Sequence, residues 1–301
     1  MLQFERILCP TDFSRFSFRA ADYAVALGRH YDGEVHFLHV VPKSLLHPDQ
    51  YPYVSQPVQP EPDLRDRALE RLDAFVALSR GEGVRSRFSV EEGSPVSTIL
   101  AAAEGDRASL ICLGTHGREG VERLVLGSVA EKVLRKAKCP VLTVSEPGDE
   151  DAPKEAVFKN ILCAVDFGTL SLEALEYSLS LAQEAGGSLT LFHALEWIPE
   201  EPDWDPGWNV ADYQSQMEEK LTERLQGIVP ASVADWCDVT VVVRSGKPYR
   251  EILGLAEERS SDLIAMGVRG RNPLDIMLFG STAQHVVRHA RCPVLTVSER
   301  N

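Results

Sequence analysis

The sequence contains no C-x-x-C pair, no surplus of basic charge, and no run near the roughly 18 apolar residues that a membrane span needs. Each absence excludes something. The six cysteines, at 9, 112, 139, 163, 237 and 292, are scattered, and Cys9, Cys112, Cys163 and Cys292 sit in or beside apolar, strand-like runs. That pattern predicts buried thiols in a reducing cytosol, with a redox switch as the other reading. Lys and Arg number 31 against 45 Asp and Glu, a formal charge of −14. Such a balance disfavours a broad nucleic-acid surface and attraction to anionic membranes. It leaves room for a small anion site, because a few aimed N–H groups outweigh a distant, screened net charge. The opening stretch MLQFERILCP carries charges where a signal peptide would need its apolar segment, so cytoplasm is the expected compartment.

Catalytic motifs are missing too. There is no G-x4-G-K-[ST] phosphate loop, no G-x-S-x-G elbow, no H-E-x-x-H, and no paired Cys/His metal spacing. His285 and His289 stand four apart, but two histidines without a third ligand read as structural or solvated. No protein-borne metal site is expected.

What is present is a repeat. ILCPTDFS at 7–14 returns as ILCAVDFG at 161–168, and CPVLTVSE at 139–146 returns unchanged at 292–299. Between them, GTHG (114–117) matches GVRG (267–270), and GSVAEKVLRKA (127–137) matches GSTAQHVVRHA (280–290). The order and spacing of these blocks identify a duplicated domain. The division expected is 1–146, a linker at 147–156 rich in acidic residues, proline and glycine, and 157–301.

Within each half, short apolar strands alternate with amphipathic helices, which predicts an α/β fold with a parallel sheet covered on both faces. Right-handed crossovers make it doubly wound. The first strands are expected at Ile7–Pro10 and Ile161–Val165, and Ser14 and Ser17 are candidate N-caps of the helix that follows. Residues 42–62 and 197–209, dense in proline and with Trp197, Trp204 and Trp208 in the second, read as surface loops. The alternative is a lid or an assembly surface.

One constellation carries chemistry. Each half has a G-x2-G-x9-G-S pattern: Gly114, Gly117 and Gly127-Ser128, then Gly267, Gly270 and Gly280-Ser281. Glycines at a strand's carboxyl end let backbone approach a ligand, and the helix that follows offers unpaired N–H groups to a phosphate. Asp12 and Asp166 end the first strands beside the same crevice. Each can accept from a ribose hydroxyl or adenine amino group, or simply cap a turn.

These residues, together with the terminal CPVLTV strand, resemble the ATP-binding branch of the universal stress protein family over nearly the whole chain, twice. The resemblance implies two doubly wound five-stranded parallel-sheet domains of adenine-nucleotide α-hydrolase-like type, strand order 3-2-1-4-5. It also implies that their fifth strands pair as an intrachain pseudo-dimer, and it is compatible with a homodimer of the whole chain. By the same resemblance, Pro10, Asp12 and Val40 surround adenine and ribose, and Leu113, Gly114, His116, Gly117, Gly127, Ser128 and Val129 line ribose and phosphates. The second site comprises Asp166, Ala194, Met266, Gly267, Arg269, Gly270, Gly280, Ser281 and Thr282. Arg269 and Arg271 would strengthen phosphate contacts there. The implied ligand is ATP, ADP or AMP, with Mg as a companion of ATP, and occupancy of both sites is expected. The implied role is a stress-response regulator acting through an unidentified protein partner. Alternatives are a weak ATPase or adenylate-using enzyme of the same fold, and a scaffold with vestigial sites.

Overall fold

The computed structural model describes residues 4–42, 64–78, 83–116, 126–145, 158–196, 210–268 and 280–298. The proline-rich segment at 43–62, the loop at 197–209, the linker at 147–156, and Gly117, Arg269, Gly270 and Arg271 lie outside the described residues.

In the first half, β1 (Arg6–Thr11) leads to α1 (Arg15–His30) and β2 (Glu34–Val41); α2 (Leu64–Leu78), β3 (Arg85–Glu92) and α3 (Pro95–Gly105) follow, then β4 (Leu110–Gly114), α4 (Ser128–Lys136) and β5 (Val141–Val144). The second half repeats this as β6 (Asn160–Ala164), α5 (Thr169–Ala185), β7 (Ser188–Leu195), α6 (Val210–Gly227), β8 (Asp238–Ser245), α7 (Pro248–Glu258), β9 (Leu263–Gly267), α8 (Ser281–His289) and β10 (Val294–Val297). The strands form one ten-stranded sheet in the order β3-β2-β1-β4-β5-β10-β9-β6-β7-β8. Every pairing is parallel except β5 with β10, which is antiparallel with Leu142 opposite Leu295.

Local chemistry explains the elements. β4, LICLG, is buried throughout, as a strand covered on both faces requires. On α1, Ala20, Ala24 and Leu27 recur at helical spacing and are all buried. Ser14 is its N-cap, its side chain accepting from Ser17 N. Ser17 is therefore not a cap: it lies inside the helix, with its hydroxyl bonded to Ser14 O at 2.9 Å. Pro95 and Pro248 occupy the first turns of α3 and α7, where a missing N–H costs nothing.

Two apolar layers flank the sheet. One holds Phe37, Phe75 and Leu27 with their counterparts; the other holds Leu38, Ile99, Val133 and theirs. The halves meet through reciprocal contacts. Thr143 Oγ1 donates to Val294 O at 3.2 Å, and Thr296 Oγ1 to Val141 O at 3.1 Å. Ser145 Oγ donates to Ala290 O, and Ser298 Oγ to Ala137 O. Phe4 stacks on Tyr177 and Tyr23 on Phe158, with centroids 6.3 and 6.2 Å apart. Each contact has its twin, so the join is a pseudo-two-fold axis within one chain.

All six cysteines are free thiols. Cys9, Cys112 and Cys163 lie inside β1, β4 and β6 with no exposure. Burial raises each thiol, Cys163 to about 12, and also lifts Cys292 to about 12. Cys9, Cys112 and Cys163 are the buried thiols expected, whereas Cys292 is half-buried.

Candidate functional site

The carboxyl ends of β1, β2 and β4 open into a cavity of about 910 Å³. It lies where the strand order turns back, the crevice a doubly wound sheet offers to ligands. Of the residues expected in the first site, Pro10, Asp12, Val40, Leu113, Gly114, His116, Gly127, Ser128 and Val129 all line it.

Asp12 sits on this wall, and its Oδ1 accepts from Ser14 N at 3.0 Å. The turn-capping reading of this residue is thus real, and it fixes the carboxylate at the crevice. Thr11 Oγ1 accepts from Phe13 N and meets Ser17 Oγ, both at 3.0 Å. In the second half Asp166 Oδ1 accepts from Gly168 N at 2.8 Å, and Asp166 N donates to Ser171 Oγ.

Opposite, Gly127 begins α4. Its N–H donates to Thr115 O at 2.9 Å, which anchors the helix start beside the end of β4. Its N-cap residue, Gly127, has no side chain with which to cap it. The helix's own ladder starts with Glu131 N on Gly127 O, so the amides of Ser128, Val129 and Ala130 stand outside it while these residues line the cavity. Positive helix potential and available donors coincide there, which suits an anion. His116 is buried on the same wall, its Nδ1 2.9 Å from Thr115 Oγ1.

Gly114 and Gly267 are glycines for packing. A Cβ on Gly114 would stand 2.8–2.9 Å from Phe16 backbone and Cβ, and one on Gly267 would stand 2.9 Å from Leu170 Cβ. Gly127 and Gly280 have φ of −58° and −56°, which any residue adopts. Gly114 and Gly267 let α1 and α5 close on the sheet.

Asp166, Ala194, Met266, Gly267, Gly280, Ser281 and Thr282 also come together, around a smaller cavity of about 210 Å³. Met266 stands where the first half has Leu113, and Phe192 where it has Leu38. Of these two changes, Phe192 brings the larger side chain into the lining of the second crevice.

Sequence reasoning missed a third set of groups. Phe13 and Phe167 hold left-handed backbone, φ 63° in both. The Phe13 ring lies 4.4 Å from His39 and 4.5 Å from the Arg71 guanidinium; Phe167 lies 4.9 Å from His193 and 3.9 Å from Arg224. His39 Nδ1 meets Thr11 O at 2.8 Å, and His193 Nδ1 meets Val165 O at 2.6 Å. The signal was available, since Phe13, His39 and Arg71 all recur in the duplicate, but only the fold brings them together.

The family model for universal stress proteins matches residues 3–145 and again 158–298. The chain belongs to the universal stress protein family. A universal stress protein of Mycolicibacterium smegmatis is 25% identical over 98% of this chain and 97% of its own length. One from Methanocaldococcus jannaschii is 35% identical over 49% of this chain and 85% of its own. The crystal structure of a universal stress protein from Archaeoglobus fulgidus superposes with a TM-score of 0.70 at 27% identity, covering 99% of this chain and 97% of that one. Two universal stress domains in tandem therefore account for the repeat, the topology and the central strand pairing.

Proposed function

We propose that this universal stress protein binds an adenine nucleotide, with the first half as the principal site and the second as a weaker one. The observation that carries this reading is the 910 Å³ cavity with Asp12 on one wall and the glycine-led start of α4 on the other. Its volume lies within the roughly 300–1,000 Å³ of small-molecule sites, whereas the 210 Å³ of the second falls below it. The residues fit the group. Amides of Ser128 and Val129 with the Ser128 hydroxyl would hold the phosphates, Asp12 would accept from the ribose, and Leu38, Val40 and Ile99 would pack on the base. A few charge-assisted hydrogen bonds of about 1.5–3 kcal/mol each, less the cost of immobilisation, reach micromolar affinity. Among the described residues no cluster of three or more His, Cys, Asp or Glu is placed for a metal, so any Mg would travel with the phosphates.

In this reading the nucleotide-bound chain acts as a stress-response regulator, and occupancy sets its association with a partner. If cellular ATP stands about a thousandfold above the dissociation constant, binding adds about 4 kcal/mol of stability and varies little. The nucleotide then serves as a structural cofactor, and a sensor role requires weaker binding or a competing nucleotide.

Native mass spectrometry of the freshly purified full chain tests the proposal. The expected result is chain plus one or two adenine nucleotides, with no multiple-turnover release of ADP. A bare chain that stays bare in millimolar ATP would overturn it.

A further inference from the structure

The two cavities differ in charge as well as size. Arg67 and Arg71 stand four residues apart on α2, on one helix face, and both line the first cavity. In the second half Arg67 is replaced by Lys220 and Arg71 by Arg224, and neither is among the described residues that line the smaller cavity.

The position of the pair is informative. α2 packs on β2 and β3, while α4 starts beyond β4, and β2 and β4 flank β1. The two guanidinium groups and the α4 start therefore lie on opposite sides of Asp12. Arg71 is held in place, its guanidinium on the Phe13 ring and that ring against His39. A preset guanidinium gives up little freedom when it takes a phosphate, and its planar fork matches phosphate oxygens.

A cavity with donors for an anion at both ends, and with volume to spare beyond one nucleoside, selects a ligand charged at both ends. We propose that the first site prefers nucleotides that carry a second phosphate on the ribose 3′ side, seated by Arg67 and Arg71, over the 5′-phosphate alone. This rests on the nucleotide reading above and extends it to ligand class.

Calorimetry on the full chain tests it with two probes that differ by one phosphate, AMP and adenosine 3′,5′-bisphosphate. The wild type is expected to bind the bisphosphate at least tenfold more tightly than AMP. Arg67→Gln, alone and with Arg71→Gln, is expected to bring that ratio toward one, and Arg71→Lys to retain part of it. Arg224→Gln, in the matching stack of the other half, controls for a merely structural role and is expected to leave the ratio unchanged. Equal affinities in the wild type, or a ratio that survives Arg67→Gln with Arg71→Gln, would overturn the proposal while the nucleotide reading stands. If neither probe nor ATP binds, both fall together.

Discussion

Phe13 and Phe167, in matching positions of the two halves, hold the same left-handed backbone angle, φ 63°. A bulky residue at positive φ stores strain, and such strain persists only where the surroundings impose it. Here a guanidinium and an imidazole both lie against the ring, 4.5 and 4.4 Å away at Phe13 and 3.9 and 4.9 Å away at Phe167. Phe13→Ala keeps the strain and removes the packing. It is expected to lower stability by about 1–3 kcal/mol and to weaken nucleotide binding, because Asp12 loses its support. Phe167→Ala is expected to match the stability loss with a smaller effect on binding. Urea unfolding and calorimetry on the two variants check this.

Gly114→Ala distinguishes packing from ligand approach. The added methyl meets Phe16 backbone at 2.8–2.9 Å, so α1 must shift. The expected loss is about 1–3 kcal/mol in ligand-free protein. Thermal unfolding without nucleotide reads it, and a variant as stable as the wild type would return Gly114 to a ligand role alone.

Ser14→Ala removes the side chain that accepts from Ser17 N at the start of α1. A loss of about 0.5–2 kcal/mol is expected. Ser17→Ala removes a hydroxyl inside the helix, leaves that cap bond in place, and should cost less, as denaturant titration of the pair would show.

The buried thiols set an alkaline limit. Burial raises Cys163 from 9.0 to about 12, and it raises Cys9 and Cys112 too. A pKa raised on folding gives stability that is complete below the unfolded value and is lost as pH climbs through the folded one. Unfolding free energy should therefore decline between pH 9 and about 12, by about 1.4 kcal/mol per pH unit for each such thiol. Relative to wild type, Cys163→Ala should show a slope shallower by about one proton in pH-dependent denaturant unfolding.

Across the join, Phe4–Tyr177 and Tyr23–Phe158 stack with planes 5° and 8° apart. A double-mutant cycle on either pair is expected to give a coupling of about 0.5–1.5 kcal/mol. Additive single substitutions would show that the join relies on β5 and β10 alone.

The duplication made most of the fold legible. CPVLTV recurs in both halves, and the resemblance to the family implied the β5–β10 pairing that the sheet shows, which covers two otherwise unpaired edges. Second strands at Ser188–Leu195 and Val35–Val41 were readable because apolar runs are bounded by Gly and Pro. Less legible was the reason for Gly114, since a close approach by Phe16 is a tertiary fact that sequence spacing does not carry. The Arg71–Phe13–His39 stack was hidden in the same way. Its members come from three elements, and nothing local marks Phe13 for positive φ, a role sequence reading assigns to glycine.

The central claim meets its most direct test in a crystal structure of the full chain grown with excess ATP. The account predicts phosphates on the amides of Ser128 and Val129 and ribose at Asp12 in the first cavity, with lower occupancy in the second. A first cavity that stays empty at saturating ATP, or that the chain's own side chains fill, would contradict it.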